Sequence, residues 1–328
     1  MKTLKLKTLS IAIAATLITP AAMAETKVYG KAHVSAASID DDNGSAISVA
    51  SHSSRFGVKG SMGDKGVTQV VYKMEWQIDM TDESKASGDH IKSRSMYAGL
   101  KGSFGEVRIG RDDSPYKKAG KKAVEFFSDT YADYNNIVDK GQDTRSNNSV
   151  SYAVKAGPGK LSVMYAAGED NTTPVTGENL GDSTAIAYDV KMGALTVGVA
   201  TQSINDSGAA DNTETGTKVV VGYNINKATK VGALFETVSD DNNTVDDTNI
   251  LFSVKHKMGK NAVRFAYGIK DQGLANDATM TAIAYDMPVN KKTTAYLLIA
   301  NGTDNGLKAN SKLDGDSSVA GAGLVVKF

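Results

Sequence analysis

The feature that most constrains this chain is a two-residue alternation, repeated over many short segments, with charge on the second face. In Leu161-Ser162-Val163-Met164-Tyr165, Ile186-Ala187-Tyr188-Asp189-Val190 and Val263-Arg264-Phe265-Ala266-Tyr267, large apolar side chains take every second place and small or charged ones fill the rest. Successive side chains of a strand point to opposite faces, so each segment reads as a strand apolar on one side only. A second face carrying Asp189, Lys255 or Arg264 does not suit a core that is dry on both sides. It calls for lipid on one face and water on the other.

The pattern begins at Lys27–Val34 and recurs through Ser54–Gly60, Val67–Met80, Lys92–Phe104 and Glu106–Arg111. It resumes at Ser149–Lys155 and runs in further segments to Val319–Phe328, for about 16 strands near ten residues each. Connections alternate in length. Gly157-Pro158-Gly159, Met192-Gly193, Asn226-Lys227 and Gly259-Lys260 are short, whereas Glu169–Asp182, Asn205–Gly216, Ser239–Asp247 and Gly302–Asp316 are long. An even-numbered transmembrane antiparallel β-barrel with short turns at one end has this signature. Ala322, Leu324, Val326 and Phe328 extend the apolar face to a terminal aromatic, and closure leaves no backbone edge in hydrocarbon. A soluble β-sandwich also strings short strands between turns, but would bury many of these charges. A propeller needs a blade motif about every 40 residues, and none recurs.

Between Ser114 and Asn148 the alternation stops. So long an excursion among short connections is a lid, a binding loop or a disordered linker. Tyr116, Phe126, Phe127, Tyr131 and Tyr134 give it anchors that disordered tracts lack. The segment is expected to fold against the barrel.

The first residues read as a secretory signal peptide: basic Lys2, Lys5 and Lys7, an apolar Leu9–Ile18, and Ala22-Met23-Ala24 before Glu25. The apolar run is shorter than the roughly 20 residues of a spanning helix. The expected division is therefore 1–24 leader and 25–328 barrel. Of 37 basic and 37 acidic residues, losing those three lysines leaves 34 against 37, so no basic field remains for nucleic acid. Cysteine is absent, and an exported chain without disulfides must draw its stability from a large core or a closed sheet.

With these elements in order, the whole mature chain resembles the general diffusion porins of Gram-negative outer membranes. The residues that carry the resemblance are Val28-Tyr29-Gly30-Lys31-Ala32, Arg55-Phe56-Gly57-Val58-Lys59-Gly60, Arg94 with Tyr97-Ala98-Gly99-Leu100-Lys101, Gly110-Arg111, Thr144-Arg145-Ser146-Asn147-Asn148 and Phe328. The resemblance implies a homotrimer of 16-stranded barrels in outer-membrane lipid and lipopolysaccharide, passing ions and small hydrophilic solutes without a cofactor or metal. It also implies a third loop, 114–148, folded into the lumen as a constriction. Lys31, Arg55, Arg94 and Arg145 would form the basic wall cluster, with Glu125 and Asp129 as the facing loop acids. The chain departs from the family's Pro-Glu-Phe-Gly-Gly at this point: Val124 replaces proline, Phe127-Ser128 replace the glycines, and Lys121 stands where a second acid is usual. A barrel this wide cannot be filled by its own side chains, and charge facing across a pore sets ion preference. The alternative is that Arg55, Arg94 and Arg145 pin the loop by ion pairs, and the two roles are compatible. Gly30, Ala32, Gly57 and Gly99 are read as small outward residues suited to contact between barrels.

Two other classes compete. A barrel hydrolase would have to use His33, His52, His90 or His256, and only His90, near Asp82, Ser87 and Asp89, has candidate partners. A recognition barrel, acting as adhesin or phage receptor, would use the long loops. The aspartates at 40–42, 240–241 and 246–247 lack the spacing of a calcium-binding EF-hand loop.

Overall fold

The computed structural model describes residues 25–63, 66–81, 91–139, 141–168, 182–206, 212–242, 245–271, 273, 276–307 and 313–328. The proposed leader, 1–24, lies outside them.

The strands are β1 (Glu25–Asp41), β2 (Gly44–Ser51), β3 (Arg55–Met62), β4 (Gln69–Ile78), β5 (Ile91–Gly102), β6 (Gly105–Asp113), β7 (Arg145–Ala156), β8 (Gly159–Ala166) and β9 (Ser183–Met192). They continue as β10 (Leu195–Asp206), β11 (Asn212–Asn224), β12 (Thr229–Asp240), β13 (Asp246–Met258), β14 (Asn261–Lys270), β15 (Ala278–Pro288), β16 (Thr293–Thr303) and β17 (Ser317–Lys327). Each pairs antiparallel with its sequence neighbour, and β1 closes the circle against β17 in register Lys31↔Lys327 through Asp40↔Ser318. Phe328 adds a reciprocal backbone pair with Gly30 at 3.0 and 3.1 Å. Because β2 and β3 both pair with β1, they are halves of one barrel strand and the barrel has 16.

Those halves meet at a bulge. Val34 pairs with Ser51 and Lys31 with Arg55, so Ala32 and His33 face the three residues His52, Ser53 and Ser54. The extra residue reverses side-chain parity. Ile47 and Val49 point outward and are 77% and 64% exposed, whereas Arg55, an odd-numbered residue like them, points inward to the loop. A second register shift falls at Arg94–Ser95, between the pairs Met74↔Met96 and Trp76↔Ser93. A third sets Arg111 against Asn147 and Asn148, and Asn148 has a positive φ of 45°. These shifts correct one expectation. Gly30 and Ala32 do face outward, but Gly57 lies opposite inward Tyr29, and Gly99 lies opposite inward Arg108.

The outer surface carries the large apolar residues, among them Val28, Phe56, Leu100, Val219, Phe235, Phe265, Leu297 and Leu324. Inside, the barrel has two unlike halves. From β11 to β16 the inward residues include Val220, Leu234, Leu251, Ala266, Met280 and Leu298, all buried. Water does not cover this half, as the alternation alone implied. The long loop does.

A candidate constriction in the barrel lumen

The loop runs from Ser114 to Thr144, four residues shorter than expected because β7 already begins at Arg145. Its first turn, α1 (Pro115–Lys118), is specified locally. Ser114 accepts a 3.0 Å hydrogen bond from the Lys117 amide, and proline at the first position costs no helical bond. Gly120, at φ 60°, then turns the chain into α2 (Lys121–Val124). A 3₁₀ turn, Tyr134–Asn136, follows under an Asp133 cap.

Apolar packing holds the loop to the wall. Val124, Phe127, Tyr131, Tyr134 and Ile137 join the inward side chains of β11–β16 in one buried cluster. Tyr116 and Ala119 form another with Met164, Ala185, Ala187 and Ala200 on β8–β10. Close approach needs missing side chains beneath: a Cβ at Gly222 would lie 2.4 Å from the Ala123 Cβ, one at Gly232 2.1 Å from the Ala123 carbonyl, and one at Gly268 2.4 Å from Ile137. Polar anchors complete the seat. Glu236, fully buried, accepts from the Tyr116 hydroxyl at 2.8 Å, the Asp139 amide at 2.7 Å and Asn249 at 2.9 Å. Arg264 donates to the Phe126 carbonyl at 2.6 Å and pairs with Asp286 at 2.6 Å. Lys218, 1% exposed, lies 3.4 Å from Asp143, with its ammonium 4.4 Å from the Tyr116 ring centre. Glu236 and Lys218 were not singled out from sequence, although the signal existed: small residues at the inward positions of consecutive strands mark where something else must sit.

The other half of the wall stays open. Between it and the loop is a cavity of ≈ 1050 Å³. Arg55, Arg94, Arg145 and Lys160 line the barrel side, and Lys117, Lys118, Lys121 and Lys122 line the loop side. The carboxylates on it are Asp113, Glu125, Asp129, Asp133 and Asp189.

Of the six residues predicted for the constriction, Lys31, Arg55 and Asp129 come together directly. The Lys31 ammonium donates to Asp129 and Arg55 reaches the same carboxylate oxygen at 3.3 Å. Burial opposes ionisation of Asp129, but Lys31 and Arg55 outweigh it and hold the acid below its ordinary range. Arg94 instead bonds Glu75 at 2.9 Å and Gln77 at 3.0 Å, and Arg145 bonds Asp113 at 2.9 Å. Glu75 went unremarked in the sequence; it also accepts from Tyr29 at 2.7 Å and lies 3.3 Å from Lys73. Glu125 lines the same cavity but pairs with Lys121 at 3.2 Å, the lysine that stands in place of an acid. Lys121 also approaches Asp143 at 3.8 Å. Burial pushes Glu125 up to about 7, against the pull of Lys121 and with the help of Asp133 and Asp129. Burial likewise raises Asp133.

His33 and His52 are buried in the wall, His33 Nε2 at 2.8 Å from the Tyr296 hydroxyl and His52 Nε2 at 2.7 Å from Ser35 Oγ. Asp82, Ser87, Asp89 and His90 lie outside the described residues.

Comparison with known proteins agrees with this architecture. Residues 10–307 match the Gram-negative porin family. The chain is 26% identical over 310 residues to outer membrane porin protein 32 of Delftia acidovorans, covering 87% of this chain and 86% of that protein. Among solved structures, an anion-selective porin from Comamonas acidovorans superposes with a TM-score of 0.78 at 19% identity, covering 93% of this chain and 100% of that one. The trimer form of OmpT, an outer membrane protein of Vibrio cholerae, superposes with a TM-score of 0.70 at 16% identity, covering 94% and 100%. A closed 16-stranded barrel, lipid-facing outside and narrowed inside by the loop at 114–144, together with a family match across most of the chain, leads to one assignment: this chain belongs to the Gram-negative porin family and is an outer-membrane diffusion channel.

Proposed function

We propose that the channel prefers anions, and that its constriction is the gap between Glu125 and Asp129 on the loop and Lys31, Arg55, Arg94 and Arg145 on the wall. The observation that carries the sign is the charge of the cavity lining, eight lysines and arginines against five carboxylates. Two of those five, Glu125 and Asp133, have their ionised forms disfavoured by burial. Facing charge of one sign raises the local concentration of the opposite ion. The anion-selective neighbour from Comamonas acidovorans is consistent with this reading.

The same reading includes a homotrimer in contact with lipid and lipopolysaccharide. It is supported by small outward residues on the closing strands, Gly30, Ala32 and Ala36 on β1 with Ala320 and Ala322 on β17, beside exposed Ile47 and Val49. Small side chains let a neighbouring surface approach closely. The trimeric form of OmpT supports it by analogy. Residues 1–24 are assigned to a leader removed on export, and the chain is assigned no catalytic chemistry.

The test is the zero-current potential of the purified protein in a planar bilayer under a potassium chloride gradient. A potential of the sign set by chloride permeation is expected. A cation-selective channel overturns the reading. Unheated detergent gels should show a species that converts to monomer on heating, and monomer alone under every mild condition would remove the trimer.

A further inference from the structure

We infer that Lys118 on the loop and Lys160 on β8, with Lys122 on the constriction side, form a binding station for small dianions, carboxylate or phosphate in chemistry, at the neck of the pore. This deepens the proposed anion preference and rests on it. The cations of the cavity differ in how far they are already engaged. Arg55, Arg94 and Arg145 are held by Asp129, Glu75 and Asp113 at 3.3, 2.9 and 2.9 Å. Lys117 is held by Asp143 at 2.9 Å, and Lys121 is shared between Glu125 and Asp143. Among the described residues, Lys122 and Lys160 have no carboxylate within ion-pair distance, and both side chains are exposed to the lumen. Lys118 has Asp112 at 2.8 Å, but Asp112 also serves Arg108 at 2.8 Å, so two cations share one acid. Asp189, opposite Lys160 in the ladder, is engaged by the Gly120 amide at 2.8 Å.

Position turns this surplus into a site. A second cavity of ≈ 620 Å³ adjoins the constriction, and Lys118 and Lys160 line both. Lys118 on the loop and Lys160 on the barrel wall are therefore the two ammonium groups that stand where the cavities meet. Beyond them the second cavity presents Lys101, Arg108 and Lys155 against Glu106 alone, so the positive potential continues past the neck. A monovalent anion can meet only one of the two facing ammonium groups at contact distance. A dianion a few atoms long can meet both, and the gain from each contact grows with its charge. Passage requires that such binding be weak enough to release, which exposed and mobile lysines allow better than rigid paired arginines.

The experiment is block of chloride current through the intact channel in planar bilayers, titrated with succinate or with inorganic phosphate at a pH where it is dianionic, at fixed ionic strength, with acetate as the monoanion control. Wild type should show saturable block by both dianions and little by acetate. Lys160→Gln or Lys118→Gln should raise the half-blocking concentration by about fivefold each, while Lys160→Arg should retain the block. Heat-modifiable migration of each variant on unheated detergent gels, like that of wild type, establishes that the barrel is intact. If the double glutamine variant blocks like wild type while wild type still prefers anions, the station is refuted and the anion preference stands. Absence of saturable dianion block in an anion-selective wild type has the same meaning. A wild type that prefers cations overturns the station together with the reading beneath it.

Discussion

Glu125 should act as a titratable charge inside the pore, so lowering the pH should strengthen anion preference. Its carboxyl lines the constriction cavity, 3.2 Å from Lys121, with Asp133 and Asp129 as its other charged neighbours on the loop. With its pKa pushed up to about 7, falling from about pH 8.5 to about pH 5.5 neutralises roughly nine-tenths of one charge. The direction follows from the acid being ionised above its pKa and neutral below: acidification removes a negative charge and makes the lumen more positive. A unit charge about 8 Å from a passing ion is worth about 0.5 kcal/mol in water, and one Debye length of screening reduces this to about 0.2 kcal/mol. The term acts with opposite sign on cation and anion, so the permeability ratio should change by about twofold. The assay is the zero-current potential under a fixed salt gradient at both pH values, for wild type and Glu125→Gln. The glutamine variant should start at the acidic value and show little further change. Equal pH dependence in the two proteins would refute the assignment, as would a wild type whose potential does not move.

Further expectations concern orientation and the seat of the loop. Because the chain has no cysteine, Asp241→Cys and Lys260→Cys each give a single reporter at opposite barrel ends; a membrane-impermeant thiol reagent added to intact cells should label the first and not the second, and the reverse would invert the topology. Gly232→Val places a side chain where the Ala123 carbonyl already lies. It should destabilise the seated loop by about 1–3 kcal/mol and appear as larger or noisier unitary conductance, and an unchanged trace would mean that the wall does not hold the loop by close packing.

The strands were legible because period-two alternation is a direct imprint of a sheet with unlike faces. The loop was legible because that imprint stops at Ser114, and its buried aromatics, Tyr116, Phe127, Tyr131 and Tyr134, are those that argued against disorder. The faces were harder. Counting by twos from Ile47 and Val49 puts Gly57 outside, and counting from outward Ser93 does the same for Gly99. Each count crosses a bulge, where one unpaired residue reverses the parity and a local pattern carries no mark of it. The same irregularities lie at or beside Arg55, Arg94 and Arg145, so the arginines proposed for the constriction are those whose direction is least readable. The Lys121–Glu125 pair was missed for another reason. It follows from a turn at Gly120 and from burial against β11 and β12, neither of which a motif comparison records.

The division of the lumen into a dry seat and a wet wall also separates two kinds of change that most proteins couple. On β11–β16 the inward positions are fitted to the loop, so a methyl group gained or lost there alters folding. On the open side, Lys160 and Lys122 are exposed to the lumen and make no ion pair among the described residues. Charge there can be reversed or exchanged at small cost to the barrel. A population of such channels could therefore drift in what they admit while keeping the same architecture, with solute preference written on one half of the wall and heritable stability on the other.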